Sequence, residues 1–280
     1  MTTRSAPGAS PATLVVLAAL LEARTGQQIA SYRTWRLDTA LQPLLRERGL
    51  ETLDQLASRF LEGGDQALGD RIVDALVNGE SSFFRDQPVF DMIGEAIANS
   101  EAANRRLRVW SAACAAGQEP LSLAMMFAER RAETGAQMPE IVATDVSESA
   151  LARARQGRYT QFEIQRGLPI RRMMRWFESD GADWVAKPEL VRTIQFRRLN
   201  LVAARPPVGQ FDIILCRNVL LYLAVEAKAA IFAKLAEALR PGGLLVLGAG
   251  ETVVGQSGLF EPSRRHRGLY ERVGVERRAA

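Results

Sequence analysis

From residue 108 onward the chain alternates short apolar runs with segments of helical period, and this alternation limits the possible folds more than any other feature. Residues 108–114 read as a strand and are followed by a turn at Gly117. Residues 120–132 read as a helix entered through Pro120, whose missing N–H costs nothing in a first helical turn. A strand over 141–146, a helix over 149–156 and a strand over 211–216 continue the rhythm. A helix over 225–239, closed by Pro241-Gly242-Gly243, and a strand over 244–248 complete it. Strands separated by helices predict a mostly parallel sheet covered on both faces. Ligands of such sheets sit at the carboxyl ends of the strands.

The upstream pattern differs. Leu37, Leu41, Leu44 and Leu45 recur at helical spacing, as do Leu53, Leu56, Phe60 and Leu61, with Gly49 and Gly63-Gly64 as breaks. A bundle of about four helices is expected over 13–78, followed by a further helix over 86–103 entered through Pro88. Residues 1–12, rich in Ser, Ala, Gly and Pro, are expected to be a disordered start. The rhythm breaks at 176–201, where Asp183-Trp184-Val185 and Thr193-Ile194-Gln195-Phe196 flank a Lys-Pro turn. Two or three short antiparallel strands are expected there, as a subdomain set on the main sheet.

Composition excludes several classes. No apolar run approaches the roughly 20 residues that span a bilayer, and 14–21 is too short for the core of a signal peptide. Cys114 and Cys216 read as reduced core thiols, which places the chain in a reducing, cytoplasmic compartment. One histidine, His266, cannot build a metal cluster, so no metal is expected. Net charge is +4, and its distribution is uneven. Residues 153–175 hold seven arginines against Glu163 alone, and 24–48 hold five against Asp38 and Glu47. Solvated helix faces give such runs, and so does a surface for an acidic partner.

Four segments could carry chemistry. The small-residue loop from Ser111 to Pro120 lets a ligand approach the backbone, although a plain tight turn looks the same and the G-x-G-x-x-G fingerprint is missing. Asp145, ending the next strand, could accept hydrogen bonds from ribose hydroxyls or simply cap the following helix. The strand 211–216 delivers Arg217, Asn218 and Tyr222 to its carboxyl end. In Ser81-Ser82-Phe83-Phe84-Arg85-Asp86 the two aromatics suit packing, and Arg85 is the functional candidate.

Together these segments resemble the CheR-type chemotaxis receptor methyltransferases. The resemblance rests on 81–86, on Trp110 through Ser122, on Ala143-Thr144-Asp145, and on Gly157-Arg158-Tyr159. Arg166-Gly167-Leu168-Pro169 and the run from Cys216 to Tyr222 complete the order. It implies an α/β class I methyltransferase (Rossmann-like) domain over 86–280, with a small antiparallel β-subdomain at about 176–201. A helical N-terminal domain and linker over 13–85 would precede it. It also implies S-adenosylmethionine as methyl donor, S-adenosylhomocysteine as product, and receptor glutamates as acceptors. Carried over by position, the cofactor-binding residues would be Ser81, Arg85, Glu119, Asp145, Asn200, Leu201, Arg217 and Asn218. Arg85 and Tyr222 would stand near the reacting centre. Gly79 and Ser81 replace the family's usual Asn and Thr, which keeps the hydroxyl but gives up one polar group. The expected partners are the cytoplasmic helices of methyl-accepting chemotaxis-type receptors, met by a monomer without membrane insertion or nucleic acid.

Two rival readings differ in class. A nucleic-acid methyltransferase would suit the basic stretches, but amine methyltransferases usually carry [DNS]-P-P-[YFW] where this chain has Arg217-Asn218-Val219-Leu220. A non-catalytic scaffold that binds the donor or its product as a signal would tolerate Gly79 and Ser81.

Overall fold

The computed structural model describes residues 9–29, 35–63, 65–77, 79–100 and 105–273. Arg33 and residues 1–8 of the expected disordered start lie outside them. The chain divides into two compact units. One comprises Met1–Asn78 with Tyr222–Ala224, the other Gly79–Leu221 with Val225–Ala280.

The smaller unit holds helices α1 (Pro11–Thr25), α2 (Trp35–Arg48), α3 (Leu53–Leu61) and α4 (Gln66–Leu76). Helix α1 starts two residues before the expected 13, inside the predicted disordered start. Ser10 caps it, its Oγ accepting from Thr13 N–H at 3.2 Å, and Pro11 occupies the first turn. Thr52 and Gln55 form a capping box on α3. Of the spaced residues, Leu37, Leu41, Leu44, Leu45, Leu53 and Leu56 are buried in one core with Leu17 and Ile72, whereas Leu61 is exposed. The segment Tyr222–Ala224 joins this unit by a bridge between Gln27 and Leu223 and a hydrogen bond from Gln28 N–H to the Tyr222 carbonyl.

In the larger unit, α5 (Gln87–Ser100) leads to β1 (Arg108–Ala112), α6 (Gln118–Thr134), β2 (Glu140–Asp145), α7 (Glu148–Gln156) and β3 (Arg158–Thr160). Short helices α8 (Gln161–Gln165) and α9 (Ile170–Trp176) precede β4 (Phe177–Asp180), β5 (Asp183–Ala186), α10 (Pro188–Val191) and β6 (Ile194–Arg198). Next come β7 (Phe211–Cys216), α11 (Val225–Ala238), β8 (Leu239–Leu247), β9 (Phe260–Pro262) and β10 (Tyr270–Arg272). Seven strands form one sheet in the order β6-β2-β1-β7-β8-β10-β9. The first five are parallel, and β10 runs against both of its neighbours. Strands β1 and β7 at the centre are buried along nearly their whole length, as a parallel sheet covered on both faces requires.

The small sheet differs from expectation. Its order is β3-β5-β4, so it takes a strand from 158–160, before the expected range. Residues 194–198 were expected in it, but they form the edge of the main sheet, parallel to β2. Helix α10 turns the chain back so that Ile194 buries its side chain in the larger core, with Phe196 packed against it. Strand β8 also begins earlier, at Leu239. Phe211 faces Leu239 while Ile213 faces Leu244, so Pro241-Gly242-Gly243 forms a bulge inside the strand. Residues 79–85, expected with the helical domain, belong to the larger unit. Phe83 is buried against Tyr159 and Phe177 with ring centroids 5.0 and 5.5 Å away, and Phe84 lies 5.2 Å from Phe90. Among the described residues no helix is long and apolar enough to cross a membrane.

Candidate active site

The β1–α6 loop and the end of β2 are built as one piece. Ala113, Ala115 and Gly117 all hold left-handed backbone, at φ of 59°, 49° and 90°. Cys114 N–H donates to the Thr144 carbonyl at 2.9 Å. Asp145 is 5% exposed; its Oδ2 accepts from Ala115 N–H at 2.8 Å and its Oδ1 from Ser147 N–H at 2.9 Å. Asp145 is therefore not the cap of α7. Ser147 is, with its Oγ accepting from Ala150 N–H at 3.0 Å. From the other side, the Tyr159 hydroxyl donates to the Ala116 carbonyl at 2.7 Å. Burial pushes that phenol's pKa up, so it remains a donor. Beside Asp145, Leu199 N–H donates to the Asp145 carbonyl, and Asn200 Oδ1 accepts from Val202 N–H at 2.9 Å. The Leu201 carbonyl accepts from Lys234 Nζ at 3.0 Å.

Arg217 joins the second half of the site. Its side chain is 2% exposed. It pairs with Glu119 Oε2 at 3.2 Å and Asp86 Oδ2 at 2.6 Å, and donates to the Arg85 carbonyl at 2.9 Å. Glu119 also accepts from Ser111 Oγ at 2.7 Å. Phe84 and Asp86, on either side of Arg85, both have positive φ, and Ser122 Oγ accepts from Phe84 N–H at 3.0 Å. Arg85 is thus presented on a backbone turn fixed at both ends. It is partly exposed, and its guanidinium has no hydrogen-bond or ion-pair partner among the described residues. Asn218 follows at φ 59°, tied by its N–H to Glu251. Tyr222 ends a 3-10 turn over Leu220–Tyr222 and belongs to the smaller unit.

A cleft of about 490 Å³ opens beside this region, lined in part by Gly79, Ser81, Ala116, Gln118, Arg153 and Arg166. Gln118 Oε1 is buried there with no hydrogen-bond partner among the described residues. A buried amide oxygen left unpaired is costly. The arginines of 153–175 are largely neutralised: Arg153 pairs with Glu163, Arg155 with Glu148, Arg158 with Asp180 and Asp183, Arg166 with Glu80, and Arg172 with Glu129. His266 lies elsewhere, lining a cavity with Asp212 near the amino-terminal end of β7.

The family model described as CheR methyltransferase, SAM binding domain, matches residues 79–269. The chain belongs to the CheR methyltransferase family. It is 35% identical over 242 residues to chemotaxis protein methyltransferase 1 of Pseudomonas aeruginosa, covering 83% of this chain and 87% of that one. A chemotaxis protein methyltransferase of Vibrio parahaemolyticus is 34% identical over 253 residues, covering 89% and 92%. That of Listeria monocytogenes is 36% identical over 192 residues, covering 68% and 71%.

The chain is thus an S-adenosylmethionine-dependent methyltransferase, and its strand ends suit that donor. Two carboxylates, Glu119 and Asp145, offer acceptor oxygens for ribose hydroxyls and an ammonium group, and Gln118 Oε1 is an unused acceptor on the same loop. Sequence reasoning missed Gln118, Asp86 and Glu251. Glu251 could have been found, because an acid just past the carboxyl end of a strand is the signal that singled out Asp145.

Proposed function

We propose that the chain transfers the methyl group of S-adenosylmethionine to glutamate γ-carboxylates of methyl-accepting chemotaxis-type receptors, forming glutamate methyl esters and S-adenosylhomocysteine. The observation that carries this reading is where the titratable groups lie. The one histidine lies near the amino-terminal end of β7, away from the strand ends that bear Glu119, Asp145 and Arg217. Cys114 and Cys216 are buried, and burial, followed by nearby carboxylates, pushes both thiols up. An acceptor that must lose a proton would want a base here. A glutamate side chain, with an ordinary pKa of about 4.3, arrives already ionised. The donor supplies a methyl on a positively charged sulfur, which the carboxylate oxygen attacks as the carbon–sulfur bond breaks. The protein's part is alignment, and effective molarity from alignment supplies on the order of 7 kcal/mol or more in favourable cases.

In this reading Asp145 and Glu119 accept hydrogen bonds from the donor's ribose and amino groups. Ser81, Asn200, Leu201 and Asn218 complete its contacts. Arg85, presented on its strained turn, faces a carboxylate of donor or acceptor, and Tyr222 stands near the sulfur. Arg217 acts through Arg85 and Glu119, because its guanidinium is already committed to them and to Asp86. The names of the relatives support receptors as acceptors. Internal pairing of five of the seven arginines of 153–175 weakens one of the two basic stretches that favoured nucleic acid. A cytoplasmic monomer fits this role. The test is transfer of tritiated methyl from the donor to purified receptor cytoplasmic fragments. Label that leaves as methanol in mild base is expected. Base-stable label, or donor binding without transfer to any receptor tried, would overturn the reading.

A further inference from the structure

The turn that follows β7 is held by a residue far along the chain. Glu251 Oε2 accepts from Asn218 N–H at 2.7 Å and from Gly248 N–H at 2.8 Å, while its Oε1 accepts from Leu220 N–H at 2.8 Å. One carboxylate thus ties together the carboxyl ends of the neighbouring strands β7 and β8. It also fixes the start of the 3-10 turn that leads into Tyr222. Asn218 holds left-handed backbone at φ 59°, a conformation that asparagine tolerates better than most non-glycine residues. Its side chain and backbone both lie over Gly248, where a Cβ would stand 2.6 Å from Asn218 Nδ2 and 2.9 Å from the Asn218 backbone N. Gly248 therefore leaves the room in which Asn218 sits.

We propose that Glu251 is a positioning residue for methyl transfer: with Gly248 bare beside it, it sets the Asn218 amide and the turn entering Tyr222. The proposal rests on the reading of Asn218 as a donor contact. A carboxylate suits the task because it accepts several N–H groups and donates nothing. A glutamine of the same shape would turn an NH2 group toward at least one of these amides.

The experiment compares Glu251→Gln, Gly248→Ala, Asn218→Ala and the double variant E251Q/N218A. Calorimetry gives the affinity for S-adenosylhomocysteine, and methyl transfer gives kcat and KM at saturating acceptor. Thermal melting checks the fold. Each single variant is expected to weaken product affinity about tenfold, the scale of one charge-assisted hydrogen bond. In product affinity the double variant should be no weaker than the worse single, because toward the product both changes act through Asn218. Losses that multiply in the double variant would mean that Glu251 merely stabilises the fold. Wild-type affinity in both Glu251→Gln and Gly248→Ala would equally overturn the proposal. Should Glu251→Gln fail to fold, Gly248→Ala and its double with N218A carry the same test, since they leave the carboxylate in place. Wild-type affinity and turnover in Asn218→Ala would sink the donor-contact reading itself and this proposal with it, a result distinct from the others.

Discussion

Both oxygens of Asp145 are engaged before any ligand arrives, by the N–H groups of Ala115 and Ser147. A carboxylate has about four acceptor positions, more than these two amides use. It follows that Asp145→Ala would confuse two effects, because it would also strand two buried amides. Asp145→Asn keeps the shape but turns an NH2 group toward one of these two amides, so thermal melting has to show that the fold is intact. The variant is expected to weaken S-adenosylmethionine binding by about 1–3 kcal/mol, the usual worth of hydrogen bonds to a charged acceptor. Calorimetry on the folded variant measures this, and unchanged affinity would remove Asp145 from the donor site. The sequence picks out Asp145 as an acid ending a strand, and the structure takes away the alternative that it caps the following helix, since Ser147 does. The destination of Arg217 was not. It too ends a strand, but its partners Asp86 and Glu119 are remote in sequence, and only the fold shows that the guanidinium is buried between them. Glu251 could be singled out as an acid past a strand end, but its three amide partners could not, since they come from two different strand ends.

The β1–α6 loop works as an element only because α7 and β3 close around it. Gly117 holds φ 90°, and a Cβ there would stand 2.7 Å from the Ala154 Cβ and 3.3 Å from the Tyr159 hydroxyl. Gly117→Ala therefore combines backbone strain with a clash against α7, and a loss of about 2 kcal/mol or more is expected. Melting should fall by several degrees, and donor affinity should fall with it, because Ala116 and Gln118 flank the change. A variant that melts with the wild type would show that the loop has slack. How legible an element was depended on its burial. Strands β1 and β7 are covered on both faces and read as continuous apolar runs. Strand β6 sits at the sheet edge and alternates, so its pattern matched that of an antiparallel subdomain strand. Strand β3 is only three residues long, inside a run rich in arginine, and left no periodicity to read.

At the scale of the whole molecule, net charge and docking charge have to be separated. The chain carries +4, yet the arginine run of 153–175 is spent largely on internal pairs. A paired arginine offers an approaching acidic helix a dipole rather than a free charge. Unpaired cations gather instead at Arg264, Arg265 and Arg267, for which no ion pair is found among the described residues. In the helical domain the stretch 24–48 offers Arg33, Arg36, Arg46 and Arg48 to an acidic partner, and Arg33 and Arg36 are the pair to reverse. Unmodified receptor helices carry several glutamates, and attraction to them weakens over a screening length of about 8 Å at physiological ionic strength. The apparent KM for receptor is therefore expected to rise with salt while S-adenosylhomocysteine affinity stays nearly flat. Reversing Arg33 and Arg36 to Glu should reproduce the high-salt KM at low salt. Reversing Arg264 and Arg267 changes the net charge equally, from +4 to 0 since each reversal removes two units, and serves as the control for long-range steering. A larger effect from Arg33 and Arg36 is expected if they touch the receptor, because contact charges act within the screening length. Equal effects from the two pairs would assign the attraction to net charge alone. A KM unchanged by salt would mean that receptor recognition owes nothing to charge, leaving apolar and hydrogen-bonded contacts to supply it.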